Sequence, residues 1–197
     1  MREILIATRN KNKFIEIKKM LEPLGLKLKS LNDFKNIPEI EEDGETFVEN
    51  ARKKAIEASL GAGLISLADD SGLEVEALGG RPGVYSARFS GPEANDEKNI
   101  EKLIGLLKNT PENKLKACFR CLAVLADKNK IIAETEGVCR GRIILSPRGS
   151  HGFGYDPVFI PDGYDKTFAE LGSEIKDKIS HRAKAFGEMS EVIFKSL

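Results

Sequence analysis

The chain has 197 residues, enough for one domain with a sizeable core, and its 41% hydrophobic and 31% charged residues describe a soluble globular protein. Its 31 basic residues are balanced by 31 acidic ones, so the basic excess of a duplex-binding domain is missing, and an anionic partner has to be met by a local pocket. No apolar run is long enough to span a membrane, and residues 4–7 (ILIA) are too short for a signal peptide and lead into a basic loop, which makes the cytoplasm the default expectation.

Arg2 to Ala7 reads as a short apolar strand, followed by the polar loop Thr8, Arg9, Asn10, Lys11, Asn12 and Lys13. Phe14, Ile17, Met20 and Leu21 then recur at helical spacing. A loop at a helix N-terminus offers unpaired N–H groups and the positive end of the helix dipole, so this one outlines an anion site. It lacks the glycines and the Gly-Lys-Ser/Thr ending of a Walker A loop, and helix capping by Asn10 or Asn12 is the competing reading.

Leu26 to Leu31 is a second candidate strand. An acidic run from Pro38 to Glu45 leads into a helix from Thr46 to Leu60 that carries Phe47, Ala51, Ala55 and Ala58 on one stripe and stops at Gly61-Ala62-Gly63. The acids suit the positive end of that helix, and one of them is also a candidate metal ligand.

Ile65 to Ala68 reads as a buried strand ending on Asp69 and Asp70, followed by Ser71-Gly72, a short second strand and a Gly-Gly-Arg-Pro-Gly turn. Two adjacent carboxylates at the end of a buried strand need solvent, hydrogen bonds or a cation, and a hard cation such as Mg²⁺ takes one or two carboxylates beside waters and phosphate. Turn composition alone is the plainer explanation of Asp-Asp-Ser-Gly.

Pro92 to Lys108 reads as a helix, and Leu115 to Ala126 with Ile131 to Cys139 as an antiparallel pair around Asp127-Lys128-Asn129. Cys118 and Cys121 point to opposite faces of such a strand, so with Cys139 they are read as reduced structural thiols. The loop Gly149 to Pro157 holds Phe153, Gly154, Tyr155 and Asp156 among glycines, suited to close approach and stacking on a base, or to a packed turn. After the strand Val158 to Ile160 come Lys176 and Ser180-His181-Arg182 at the start of a C-terminal helix running to Phe194. His181 and Arg182 there oppose the helix dipole, which points to an anionic or carbonyl-bearing ligand.

The segments ATRNKNK, LADDSGLEVEALGGRPGVYSARFSG, GFGYDPVF and KISHRAKA, in this order over nearly the whole chain, resemble the inosine/xanthosine triphosphate pyrophosphatase family. The resemblance implies a single α/β domain over residues 1–197, with an elongated central mixed sheet flanked by helices and two lobes around a substrate cleft, as a homodimer. It implies Mg²⁺-dependent hydrolysis of ITP, dITP and XTP to the monophosphate and pyrophosphate, and no nucleic-acid or membrane partner. Thr8 to Lys13 would hold the triphosphate, Asp70 would be the catalytic carboxylate and a metal ligand, Asp69 a supporting group and Ser71 a substrate contact. Glu41 is the chosen second metal ligand, with Glu39 and Glu42 left open. Phe153, Gly154, Tyr155, Asp156, Lys176, His181 and Arg182 would form the base and sugar pocket, with Arg182 or His181 donating to the purine C6 carbonyl. A pyrophosphatase for pyrimidine or other modified nucleotides and a nucleotide-sensing or RNA-binding module without turnover are the alternatives.

Overall fold

A computed structural model of the chain describes residues 3–196. Among them run β1 (Glu3–Ile6), α1 (Lys11–Leu21), β2 (Lys27–Ser30), α2 (Phe47–Ala62), β3 (Ile65–Val75) and α3 (Asp96–Leu107). They continue with β4 (Lys116–Asp127), β5 (Lys130–Ile143), β6 (Phe159–Pro161), α4 (Phe168–Ile179) and α5 (His181–Ser196). The strands form one mixed sheet of order β2-β1-β3-β4-β5-β6, in which β1 pairs parallel with β2 and β3 while β5 and β6 are antiparallel. This is the mixed α/β sheet expected from the sequence.

The described residues divide into two compact units. The first draws on residues 3–70, 121–137 and 182–196, the second on Ser71–Arg120 and Val138–His181. In the first unit β1 is buried on both faces, which is why it reads as an unbroken apolar run. Ile4 and Ile6 join Ile17 and Leu21 of α1 and Phe186, Met189 and Ile193 of α5, whereas Leu5 joins Ala51, Ala55 and Ala58 of α2. The alanine stripe lets α2 lie close against the strands. Its start is set by a capping box between Thr46 and Glu49, and its end by Gly63 at φ 66°. The second unit has its own core, where Leu73 and Val75 pack with Ile100, Leu103 and Leu107 of α3 and with Phe119, Ile143, Phe159 and Phe168.

Several expectations change. β3 does not end on the acid pair: Asp69 and Asp70 lie inside one strand that continues to Val75. α3 begins at Asp96, four residues after Pro92, because Asn95 caps it by accepting from the Lys98 N–H. α4 is an element not expected from the sequence; a Thr167–Glu170 capping box starts it, and Gly172, at the non-helical φ 72° and ψ −179°, kinks it. Ser180 is extended backbone between α4 and α5. β5 runs past Cys139 to Ile143. Arg2, placed in the first strand by the sequence, lies outside the described residues. The three cysteines form no disulfide, and Cys121 and Cys139 are buried. No helix among the described residues is long and apolar enough to cross a membrane.

Phe186 is fully buried at the meeting of α5 with α1 and β1. Phe186→Ala should therefore cost about 3–5 kcal/mol of unfolding free energy. Urea denaturation measures this, and a loss below about 1 kcal/mol would mean that the site collapses without leaving a cavity.

Candidate functional site

Neighbouring side chains of a strand point to opposite faces, so Asp69 and Asp70, both buried, meet different surroundings. Asp69 shares its face with Leu67, toward α1 and α5. Its Oδ2 lies 3.1 Å from Lys13 Nζ and 3.5 Å from an Arg182 guanidinium nitrogen, and Arg182 also donates to Glu16. Burial pushes the Asp69 carboxyl upward, but the Lys13, Arg182 and Lys54 cations outweigh it and hold the group well below the usual carboxylate range. Burial likewise opposes the Arg182 charge, and Asp69 and Glu16 more than restore it.

Asp70 faces α2. Asn50 Nδ2 donates to its Oδ2 at 3.0 Å, and Lys54 Nζ stands 3.9 Å from Oδ1. Lys54 is itself committed to Glu42 Oε1 at 2.6 Å and to the Asp69 carbonyl at 2.5 Å. Burial, aided by the Glu42 charge, lifts the Asp70 pKa to about 6 against the opposing pull of Lys54, Lys13 and Asn50. One acid of the pair is thus a fixed anion, and the other is a carboxylate poised to exchange a proton close to neutral pH.

The acidic loop is anchored over this face. Gly44 N–H donates to Asn50 Oδ1 at 2.8 Å, and Lys53 pairs with Asp43 at 2.7 Å. Glu42 is the loop carboxylate whose charge reaches Asp70, whereas Glu41 is exposed and acts on Lys53. Lys54 and Asn50 were missed by the sequence reading, although a signal existed: both fall on the buried α2 stripe, where a lysine has to find partners.

Of the loop before α1, Lys13 is the residue whose charge meets the acid pair. Thr8 Oγ1 accepts from the Asn10 N–H at 3.1 Å, and Asn10 Oδ1 caps α1 by accepting from Asn12 N–H at 2.9 Å and Lys13 N–H at 3.1 Å. Arg9 turns away and donates to the Leu31 carbonyl at 3.1 Å and the Ile37 carbonyl at 2.6 Å, which makes it a tether for the neighbouring loop. Lys11 and Asn12 are exposed.

The second unit holds the other candidates. Asp156, buried, accepts from Lys176 Nζ at 2.5 Å and from the Phe153 N–H at 3.0 Å. Lys176 Nζ also stands 4.5 Å from the Phe153 ring centre, a cation–π distance. Gly152 is required there, since a Cβ would run into the Asp156 carboxylate. Tyr155 donates to the Ser86 carbonyl at 2.9 Å, and the Gly154 N–H donates to Asp96 Oδ2 at 2.7 Å. His181 stacks on Phe119 with ring centres 4.8 Å apart. Ser71 is half-buried in β3, and His151 sits exposed in its loop.

The donor set around Asp70 suits a hard divalent cation. The carboxylate oxygens it offers are those of Asp70 and Glu42, with Lys54 Nζ 2.6 Å from Glu42 Oε1 and 3.9 Å from Asp70 Oδ1, and burial with the Glu42 charge keeps Asp70 from its ordinary acidity. Among the described residues no cluster of three or more acid, His or Cys ligands forms a full protein cage. Mg²⁺ is bound by one or two carboxylates, with waters and phosphate completing its shell.

Comparison with known proteins supplies relatives for this arrangement. The Ham1 family model matches residues 4–192. The dITP/XTP pyrophosphatase of Bacillus subtilis is 46% identical over 193 residues, covering 98% of each chain. That of Desulforamulus reducens is 46% identical over 191 residues, covering 97% of this chain and 95% of the relative. Among solved structures, a HAM1 protein from Coxiella burnetii superposes with a TM-score of 0.91 at 39% identity over the whole of both chains. A nucleoside-triphosphatase / dITP/XTP pyrophosphatase from Mycobacterium abscessus gives 0.77 at 40% identity, covering 95% of this chain and 98% of that one.

The raised pKa of Asp70 has a thermodynamic sign. In the metal-free protein the folded state holds a proton between the ordinary 3.8 and about 6, so this contribution to stability is complete below 3.8 and is lost as pH rises through about 6. Asp70→Asn should then be more stable than the parent at pH 8 by up to about 3 kcal/mol, with the gap closing toward pH 4. Chemical denaturation in EDTA across this pH range measures it, and a gap independent of pH would refute the burial of a reluctant anion.

Proposed function

The chain belongs to the Ham1 family, and from that membership we propose that it hydrolyses the deaminated purine nucleotides ITP, dITP and XTP to the nucleoside monophosphate and pyrophosphate. The observation that carries the reading within this chain is the split environment of Asp69 and Asp70, which couples a lysine at the head of α1 to a carboxylate of near-neutral pKa.

Lys13 and the α1 N-terminus take the triphosphate, and Lys13 offsets the charge that grows on the leaving pyrophosphate. Asp69, backed by Arg182 and Glu16, fixes Lys13. Asp70 orients the attacking water and accepts its proton, a role for which a pKa near the working pH is favourable. Mg²⁺, held by Asp70 with Glu42 or Glu41, would neutralise phosphate oxygens and acidify bound water. The charge that Glu42 exerts on Asp70 supports Glu42 as the second ligand, one position beyond Glu41. Ser71 contacts substrate.

Phe153, Gly154, Tyr155, Asp156, Lys176 and His181 receive the base. A donor directed at a C6 carbonyl is left unmatched by the adenine amino group, which is the basis for refusing ATP. Arg182, already committed to Glu16 and Asp69, is assigned to hold Asp69 rather than to read the carbonyl. The chain acts as one domain over residues 1–197, as a cytoplasmic homodimer, with no nucleic-acid or membrane partner.

Incubation with Mg²⁺ and ITP, dITP, XTP, GTP or ATP tests the reading. Phosphate should appear only after inorganic pyrophosphatase is added, and chiefly from the first three substrates. Direct phosphate release would mean removal of the terminal phosphate instead, turnover spread over pyrimidine nucleotides would favour a broader pyrophosphatase, and no turnover would leave a binding module. Asp70→Asn should lower kcat by about 10²–10⁴-fold. Mg²⁺ should raise the Tm of the parent but not of Asp70→Asn, and Glu42→Gln should blunt that rise more than Glu41→Gln; the reverse order would return the metal to Glu41.

A further inference from the structure

The loop from Gly152 to Asp156 has no regular secondary structure before the single 3₁₀ turn at Asp156–Val158, so side-chain bonds must set its shape. Asp156 holds the Phe153 N–H, and the Tyr155 hydroxyl is anchored on the Ser86 carbonyl. Between these two fixed points stands Gly154, at φ 60°, with open space where a Cβ would be. Gly154 therefore contributes no side-chain packing, and the Phe153–Gly154 peptide relies on polar contacts at its two ends. Its carbonyl, on Phe153, accepts from the Asp156 N–H at 3.3 Å, and its N–H, on Gly154, donates at 2.7 Å to Asp96 Oδ2, a carboxylate 58 residues away in the sequence.

Asp96 is not needed as the helix cap. Asn95 already caps α3, and Glu97 is a second acid in the same first turn. One turn further on, Asn99 Oδ1 accepts from Ser90 N–H and Ser90 Oγ, each at 2.8 Å, and its Nδ2 donates to the Ala87 carbonyl at 3.1 Å and the Ser86 carbonyl at 3.4 Å. Ser86 is also where Tyr155 is anchored. The start of α3 is thus a platform with two arms. Asn99 fixes the segment that receives Tyr155, and Asp96 fixes the peptide one residue before it.

We propose that Asp96 is a positioning residue for purine-base recognition: it latches the Gly154 amide and so sets the orientation of the Phe153–Gly154 peptide. This rests on the reading that the Phe153 to Asp156 loop receives the base. Asp96 touches neither Asp70 nor Lys13 among the hydrogen bonds and ion pairs described, so its loss should act on base binding and leave the chemical step alone.

Three variants test the latch. Asp96→Ala should raise KM for ITP about tenfold, keep kcat within about twofold, and lower the preference for ITP over ATP, since a loop misplaced by about 1 Å loses alignment with its ligand. Asp96→Asn retains an acceptor oxygen and should recover most of the affinity. Glu97→Gln removes an acid from the same helix turn without touching the loop, and should change neither value. Amide hydrogen exchange of the nucleotide-free protein gives a readout independent of turnover, and residues 153–155 should exchange at least about tenfold faster in Asp96→Ala than in the parent. Unchanged exchange there overturns the proposal, as does a fall in kcat at constant KM or an equal effect of Glu97→Gln. If the parent turns over none of the nucleotides, the functional reading fails, and the exchange measurement still decides the latch.

Discussion

Two ionised carboxylates cannot share one small apolar volume, and a strand that places them in sequence gives each its own face. That constraint governs the first unit. On one face, Asp69 is surrounded by cation charge from Lys13, Arg182 and Lys54, and becomes a permanent anion. On the other, Asp70 has an amide, a lysine at 3.9 Å and an opposing acid, and is left with a pKa of about 6. Removing one partner of a buried pair leaves the other charge uncompensated, so Lys13 of α1 and Arg182 of α5 have to meet Asp69 as a set.

Lys54 joins the two faces. Its ammonium bonds the Asp69 main-chain carbonyl and the Glu42 carboxylate while standing near Asp70, so its single charge counts toward both acids. Glu42 lowers what Lys54 can offer Asp70, and this competition, together with burial, keeps that carboxyl reluctant to ionise. A cation that takes a carboxylate oxygen would reverse the balance. Proton affinity and metal affinity are therefore two expressions of one local field.

The second unit solves a different problem, that of ordering a glycine-rich loop. Glycine permits the backbone turns at residues 152 and 154 but contributes no side-chain packing, so order comes from polar anchors. The buried Lys176–Asp156 pair, with Phe153 and Phe168 around the ammonium, supplies one of them. Ser86, Asn99 and Asp96 supply the rest. The aromatic cluster of Phe119, Phe159 and Phe168 gives this polar assembly an apolar base, and His181 stacks on its Phe119.

The sequence makes legible whatever depends on local pattern. The apolar run of β1, the small-residue stripe and glycine stop of α2, the strand pair around residues 127–129 and an asparagine cap before α1, at Asn10 or Asn12, follow from periodicity and capping chemistry that act over a few residues, and the structure puts the cap at Asn10. It also marked Asp69, Asp70, Lys13, Asp156 and Lys176 as polar groups in need of a reason. Tertiary structure alone decided their partners, because burial and charge pairing join residues far apart in the chain. β3 passes straight through its acid pair since Lys13, Arg182, Lys54 and Asn50 converge on it from three helices. Arg9 tethers a neighbouring loop, the Glu42 charge reaches Asp70, and Asp96 reaches Gly154 for the same reason. A side chain's charge and length are written in the sequence, but the electric field it meets is made by the fold.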